Sequence, residues 1–400
     1  MKAIFMPCKL SGTVKAPPSK SMAHRFLIGA ALSRKPCILK GIDFSEDILA
    51  SIDCLKALGV DFSIVGDCVE VNSQNFMCFS GEVLNCRECG STLRFFIPLV
   101  LCLGESVTLQ GSKRLFERPL DVYEEICKEN GFTCNKTSES VTLCGKLKSG
   151  NYKIRGDISS QFISGLIFAL VYLNEDSSIE ITEPFESRSY VNLTVSALKS
   201  FGADIEFVGD NLISIKKSEL NSLCCTIEGD FSNAAFLDAF NYIDSDVDVT
   251  NLNEYSLQGD RVYKELFMKI SGGTPEIDIS DCPDLGPILI ALAALKNGAV
   301  FTGTDRLKLK ESDRGEAMNE ELRKLGGGLI FEKNKIIVPS QNLEYNEEIL
   351  NGHGDHRIVM ALSVILSKTG GCIDNVEAVN KSFLAFFNEI KNLGAKVELV

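Results

Sequence analysis

A short phrase recurs along this chain: an amphipathic helix, a glycine, a strand, a turn and a second strand. It reads Leu58-Gly59-Val60-Asp61-Phe62 and then Asp67-Cys68-Val69-Glu70-Val71. It returns at Asn130-Gly131-Phe132, Phe201-Gly202-Ala203-Asp204-Ile205, Leu325-Gly326 and Leu393-Gly394-Ala395-Lys396-Val397, and a looser copy ends near Gly272-Gly273. Glycine tolerates the left-handed conformation that stops a helix. Self-similarity of this kind restricts a fold to an array of one supersecondary unit. Between the copies lie six more apolar helices, at about 20–33, 91–103, 159–173, 231–243, 285–296 and 356–367. Helices apolar on every side are buried. Each unit therefore reads strand, buried helix, strand, surface helix, strand, strand, with three units in each half.

A length of 400 residues exceeds one ordinary core, so two domains are expected. The break falls near Glu228-Gly229-Asp230, with a counterpart near Ser11-Gly12-Thr13. The joints are short, which suits a hinge. No apolar run reaches the roughly 18 residues of a membrane span, and residues 93–103, interrupted by Arg94, read as a buried helix. The first residues lack a signal-peptide pattern, so a cytoplasmic protein is expected. The 15 cysteines are scattered, with one Cys-x-x-Cys at Cys86 and Cys89 and only three histidines. That spacing favours free thiols in a reducing compartment over a zinc clamp. A net charge of −13 argues against a nucleic-acid surface. It leaves room for a small anion, which feels local cations.

The segments before the buried helices are polar. They are Ser19-Lys20-Ser21, Glu88-Cys89-Gly90-Ser91-Thr92-Leu93-Arg94, Asp157-Ile158-Ser159-Ser160-Gln161, Asp230-Phe231-Ser232-Asn233, Cys282-Pro283-Asp284-Leu285-Gly286-Pro287 and Gly352-His353-Gly354-Asp355-His356-Arg357. One such head is a cap, and capping alone is expected of the fourth. Six heads on helices that pack side by side gather N–H donors and partial positive charge. Lys20, Arg25, Arg94 and Arg357 add full charges in or near those first turns. A buried arginine needs a partner, either an internal carboxylate or a bound anion. Four together favour an anionic ligand, and paired N–H groups suit carboxylate and phosphate. Two other stretches are charge-dense. Asp305 to Lys310 alternates like a strand, which would put Arg306, Lys308 and Lys310 on one face before a helix capped by Ser312 or Asp313. Arg114-Leu115-Phe116-Glu117-Arg118-Pro119 reads as a surface loop.

Lys20-Ser21 with Arg25, Ser159-Ser160-Gln161, Lys310-Glu311-Ser312-Asp313-Arg314 and Asp355-His356-Arg357 resemble the EPSP synthase family of enolpyruvyltransferases, in order, from Lys2 to about Leu393. The resemblance implies an α/β fold: a two-domain inside-out α/β barrel of six βαβαββ repeats, three per domain. It assigns residues 1–12 plus 230–400 to a phosphoenolpyruvate-side domain and 13–229 to a shikimate 3-phosphate-side domain, with a hinge near 12–15 and 227–231. It implies transfer of the enolpyruvyl group of phosphoenolpyruvate to the 5-hydroxyl of 3-phosphoshikimate. The route is addition and elimination through a tetrahedral intermediate in a closed interdomain cleft. It also implies no metal, no organic cofactor and a monomer.

Roles carry over by resemblance. Ser159, Ser160 and Ser187 match the hydroxyls on the shikimate phosphate, and Tyr190 a neighbour of that site. Ser21 and Arg25 match the grip on the shikimate carboxylate. Gln161 lies against the ring and reaches phosphoenolpyruvate. Gly90, Arg114, Arg314, Arg357 and Lys381, with Lys20, match the phosphoenolpyruvate site. Asp284 and Lys310 match the residues at the reacting hydroxyls. Asp284 is the expected proton acceptor, and Glu311 with Lys20 the expected proton route to the methylene carbon. Gly90 keeps the slim residue that admits glyphosate, so inhibition by it is expected.

Glu88, Arg306 and Leu384 depart from the family's usual residues, and no binding role is carried over to Arg306. A related enzyme acting on a UDP-amino sugar would lack the Ser-Ser-Gln and Asp-His-Arg heads. A mere polyanion binder would have no use for Asp284 and Glu311 among cations.

Overall fold

The computed structural model describes residues 1–78, 81 and 83–400. The chain forms two compact units, Met1–Pro17 with Gly229–Val400, and Pro18–Glu228. The first crossing falls at Pro17, five residues beyond the expected 12. The cause is the strand Ser11–Lys15, which pairs in parallel along its whole length with Asp246–Thr250, from Ser11 opposite Asp246 to Lys15 opposite Thr250. Pro17 and Pro18 then hold the chain extended. Around the crossings, the Asp230 N–H donates to the Pro17 carbonyl at 2.7 Å in the first unit. In the second, the Ser19 N–H donates to the Glu228 carbonyl at 2.8 Å.

Unit Pro18–Glu228 carries three four-stranded sheets with one shared topology. In each, an edge strand runs parallel to its neighbour, and two further strands follow antiparallel. An example is Asn151–Arg155, Ser177–Thr182, Leu212–Lys216 and Asp204–Val208. The strands alternate buried and exposed residues because each sheet has one dry face. Behind the sheets lie the helices Lys20–Ser33, Gly90–Leu101 and Ser160–Leu173, buried nearly throughout. The outer helices Glu46–Ala57, Asp121–Glu129 and Arg188–Ser200 bury one face each. One hydrophobic core runs from Ala23 to Ile227.

The other unit repeats the plan around the helices Phe231–Asp238, Gly286–Leu295 and His356–Thr369. Two of its sheets have the same four-stranded order. One of them places Lys2–Phe5 between Gly371–Asp374 and Val397–Leu399. The third sheet, Ser11–Lys15 with Asp246–Thr250, has two strands among the described residues. Here the outer helix Tyr263–Gly272 runs through Gly273-Thr274-Pro275 straight into the strand Glu276–Asp278 of the next sheet. No hairpin intervenes, which is why this copy of the phrase looked loose. The first buried helix of this unit continues as a 3-10 turn over Ala239–Ile243, and the second is preceded by one at Pro283–Leu285.

Residues 305–310 depart from the expected strand. Asp305–Leu309 is a 3-10 helix, in which Lys308 reaches back three residues to Asp305 at 3.0 Å. Arg306 is buried, Lys308 is exposed, and the three cations do not share a face. Residues 113–117 form a short helix capped by Ser112 instead of a loop. No helix among the described residues is long and apolar enough to cross a membrane.

Candidate active site

In unit Pro18–Glu228 the buried-helix starts hold three groups. Ser19 caps the first helix, accepting from the Met22 N–H at 3.4 Å, and Lys20 just inside pairs with Asp47 at 2.7 Å. Arg25 lies a turn further in and is buried. Its Nε donates to Thr194 Oγ1 at 2.8 Å, its Nη1 to the Ser21 carbonyl at 2.6 Å and its Nη2 to the Tyr190 carbonyl at 2.9 Å. The Phe95 ring lies 5.5 Å from its guanidinium carbon. Burial lowers the Arg25 pKa to about 10, with Tyr190 opposing. Ser21 and Arg25, expected together, are in contact, and Tyr190, expected beside Ser159, Ser160 and Ser187, is bonded to Arg25 as well.

The third group centres on Gln161. Its Oε1 accepts from Arg94 Nη1 at 2.7 Å, and its Nε2 donates to Ser91 Oγ at 2.8 Å. Ser159 caps this helix through the Gln161 N–H, and Ser160 follows, buried. Ser187 is buried at the head of Arg188–Ser200 with φ 52°. A Cβ on Gly90 would come within 2.6 Å of the Arg118 guanidinium. Arg114 is the more open member, 40% exposed and 3.3 Å from Glu117.

In the other unit the cations and carboxylates interlock. Asp284 heads the turn into Gly286–Leu295. Its Oδ1 accepts from Lys310 at 3.0 Å and from Arg314 Nη1 at 2.8 Å, and its Oδ2 from Arg357 Nη2 at 3.1 Å. Arg314 also donates from Nη2 to Glu311 at 2.9 Å and from Nε to Asp355 at 2.8 Å. Asp355 in turn caps His356–Thr369 through the Arg357 N–H at 2.9 Å and accepts from Ser312 Oγ at 3.1 Å. Lys381 donates to the Gly354 carbonyl at 2.6 Å, one residue from Asp355. Asp284, Lys310, Glu311, Arg314 and Arg357 thus form one bonded set, and Lys381 attaches to it through the backbone.

The electrostatics follow from that arrangement. Burial alone would raise the Asp284 pKa, but Arg357, Lys310 and Arg314 together hold it well below the carboxylate range. Asp355 is also lowered, since Arg314 outweighs its burial. Lys310 is pushed down to about 8, by burial first, with Arg314 and Arg306 adding to it and Asp284 opposing. Arg314 is raised, because its three carboxylates overcome burial. Asp260, hydrogen-bonded by Ser232, is raised to about 7 by burial and then by Asp284.

Several of these residues were missed by the sequence reading. Asp355 was read only as part of a motif, although a cap three residues before an apolar run is a usable signal. Asp47, Thr194 and Asp260 left no local signature, because each meets its partner across a long stretch of chain: Asp47 lies 27 residues from Lys20, Thr194 169 from Arg25 and Asp260 28 from Ser232.

Buried helices with polar, charged starts, behind sheets of this topology in both units, define the enolpyruvyltransferase class of fold. EPSP synthase from Acinetobacter baumannii superposes with a TM-score of 0.80 at 21% identity, covering 99% of both chains. The enolpyruvyl transferase NikO from Streptomyces tendae gives 0.76 at 13%, covering 99% of this chain and 98% of that one. The profile described as EPSP synthase (3-phosphoshikimate 1-carboxyvinyltransferase) matches residues 6–390. The 3-phosphoshikimate 1-carboxyvinyltransferase of Clostridium kluyveri is 38% identical, over 98% of this chain and 97% of that protein. That of Clostridium perfringens is 36% identical, over 98% of each. This chain belongs to the EPSP synthase family.

Proposed function

We propose that the chain transfers the enolpyruvyl group of phosphoenolpyruvate to the 5-hydroxyl of 3-phosphoshikimate, releasing phosphate and giving 5-enolpyruvylshikimate 3-phosphate. The observation that carries this reading is Asp284, a carboxylate held by Lys310, Arg314 and Arg357 in a chain of this family. Residues 13–229 hold 3-phosphoshikimate in this reading. Ser159, Ser160, Ser187 and Tyr190 serve its phosphate, Ser21 and Arg25 its carboxylate, and Gln161 its ring. Lys20, Gly90, Arg114, Arg314, Arg357 and Lys381 serve phosphoenolpyruvate.

Addition needs a proton on the methylene carbon and loses one from the hydroxyl; elimination reverses both. Asp284 as proton acceptor faces an obstacle, since three cations depress its basicity. Substrate removes it. A carboxylate and a phosphate drawing on Lys310, Arg314 and Arg357 take hydrogen bonds away from Asp284, and its proton affinity rises toward that of a general base. Glu311 undergoes the same release through Arg314 and, with Lys20, carries the proton to the methylene carbon. The bound anions thereby switch on the groups that act on them.

The protein works as a cytoplasmic monomer in this reading, and glyphosate competes with phosphoenolpyruvate. The experiment is phosphate release from phosphoenolpyruvate with and without 3-phosphoshikimate. Release is expected only with both substrates. Asp284→Ala should lower turnover about 10²–10⁴-fold while still binding 3-phosphoshikimate. Release independent of 3-phosphoshikimate, or unchanged turnover in the variant, overturns the proposal.

A further inference from the structure

Three donors of different chemistry meet in unit Pro18–Glu228: a histidine, a carboxylate and a thiol, from His24, Asp47 and Cys89. One ligand atom of each lies within 4.8 Å of the others, and all three residues are buried. Cys89 Sγ is 3.9 Å from His24 Nε2. Zinc bonds of about 2.0–2.3 Å place tetrahedral donors roughly 3.3–3.8 Å apart, so the three need to draw in by at most ~1.5 Å.

The surroundings orient these donors. His24 Nδ1 shares a hydrogen bond of 2.8 Å with Ser51 Oγ, which shares another of 2.8 Å with Thr92 Oγ1. That chain occupies one ring nitrogen and leaves Nε2 facing Cys89, as a hydrogen-bond partner on the other nitrogen does for histidine ligands. Cys89 is fixed at the start of Gly90–Leu101, where its sulfur accepts the Thr92 N–H at 3.4 Å. Asp47 is the member nearest solvent, its side chain 12% exposed, and gives a cation its way in.

We propose that His24 Nε2, Asp47 and the Cys89 thiolate form a binding site for a thiophilic divalent cation of the zinc type, with a water in the fourth position. The cation plays no part in the transfer reaction. It takes the Asp47 carboxylate that Lys20 uses at 2.7 Å, so metal and ammonium compete for the same oxygen. Occupation of the site frees Lys20 to swing away and inhibits turnover. The inhibition rests on the role proposed for Lys20; the binding itself does not.

Cobalt(II) added to the full chain tests the binding without reference to activity. One equivalent is expected to give near-ultraviolet thiolate-to-cobalt absorption, displaced by zinc. Cys89→Ser, whose hydroxyl still caps the helix, should abolish the band while leaving turnover unchanged. Ser51→Ala, which removes the hydroxyl between His24 and Thr92 and touches none of the three donors' ligand atoms, should weaken binding about 10–100-fold. No band, or a band that survives in Cys89→Ser, overturns the site. Zinc should inhibit phosphate release in the wild type, reversibly with a chelator, and not in Cys89→Ser. Zinc bound without inhibition overturns the competition with Lys20. A protein with no transfer activity in any condition counts against the proposed reaction and leaves the cobalt result standing.

Discussion

Arg314 Nε lies 2.8 Å from Asp355 Oδ2, and the two side chains are 1% and 0% exposed. Neither charge has water to fall back on. Removing one partner of such a pair costs about 3–5 kcal/mol, because the other is left buried. Asp355 also caps its helix, worth roughly 1 kcal/mol more. Asp355→Ala should therefore lose at least ~3 kcal/mol of unfolding free energy in urea. A loss under about 1 kcal/mol would show that the pair contributes little to the fold.

Lys310 bears on activity above neutrality. Its ordinary value is 10.5, and burial brings it to about 8. A lowered lysine pKa means the charge is lost as pH rises through 8. Since kcat/KM reports the free enzyme, it should decline above about pH 8. Lys310→Arg stays charged, so its profile should lack that limb even if its rate is lower. A limb that persists in the arginine variant assigns the titration elsewhere.

How much of this was legible beforehand varies with the reach of the interaction. The buried helices announced themselves by apolar residues on every side. Their starts at Ser19 and Asp230 followed from local capping chemistry, which also operates at Ser159 and Asp355. Residues 305–310 misled because Arg306, Lys308 and Lys310 alternate with Leu307 and Leu309. Leu307 is in fact buried against Gly286, where an added Cβ would meet it at 2.8 Å, and the segment coils to reach it. The argument that a buried cation seeks an anion gave mixed results. Lys20 and Arg357 pair with internal carboxylates, while Arg25 donates to a hydroxyl and two carbonyls, and Arg94 donates to Gln161 among its partners. Sequence could state the need for a partner but not choose it, because Asp47 lies 27 residues from Lys20 and Asp284 73 from Arg357.

Asp260 should make stability depend on pH in the sense opposite to an ordinary paired carboxylate. Its pKa rises from 3.8 to about 7 on folding, through burial and then Asp284. The folded state therefore holds the extra proton between those values. This contribution is fully present below pH 3.8 and is lost as pH rises through 7. Three units correspond to on the order of 4 kcal/mol. Asp260→Asn cannot titrate, so its stability relative to wild type should climb by a few kcal/mol from pH 4 to pH 8. A constant difference across that range would remove Asp260 from the account.

Gly90 is set against the end of a flexible side chain, since its missing Cβ faces the Arg118 guanidinium at 2.6–2.8 Å. Gly90→Ala should fold, with Arg118 displaced. A methyl group in a fitted pocket is worth about 10-fold or more in discrimination. Glyphosate inhibition should weaken by at least that factor, with 3-phosphoshikimate affinity unchanged within about twofold. Equal inhibition of variant and wild type would place glyphosate away from this glycine.

The strand Lys2–Phe5 pairs with Gly371–Asp374 on one side and Val397–Leu399 on the other. Lys2–Phe5 therefore takes its place between its two neighbours only after Val397–Leu399 has been made. The segment from Pro18 to Glu228 carries every strand of its three sheets within itself, so it can finish during synthesis. Loss of the strand Val397–Leu399 would leave Lys2–Phe5 as a sheet edge open to self-association.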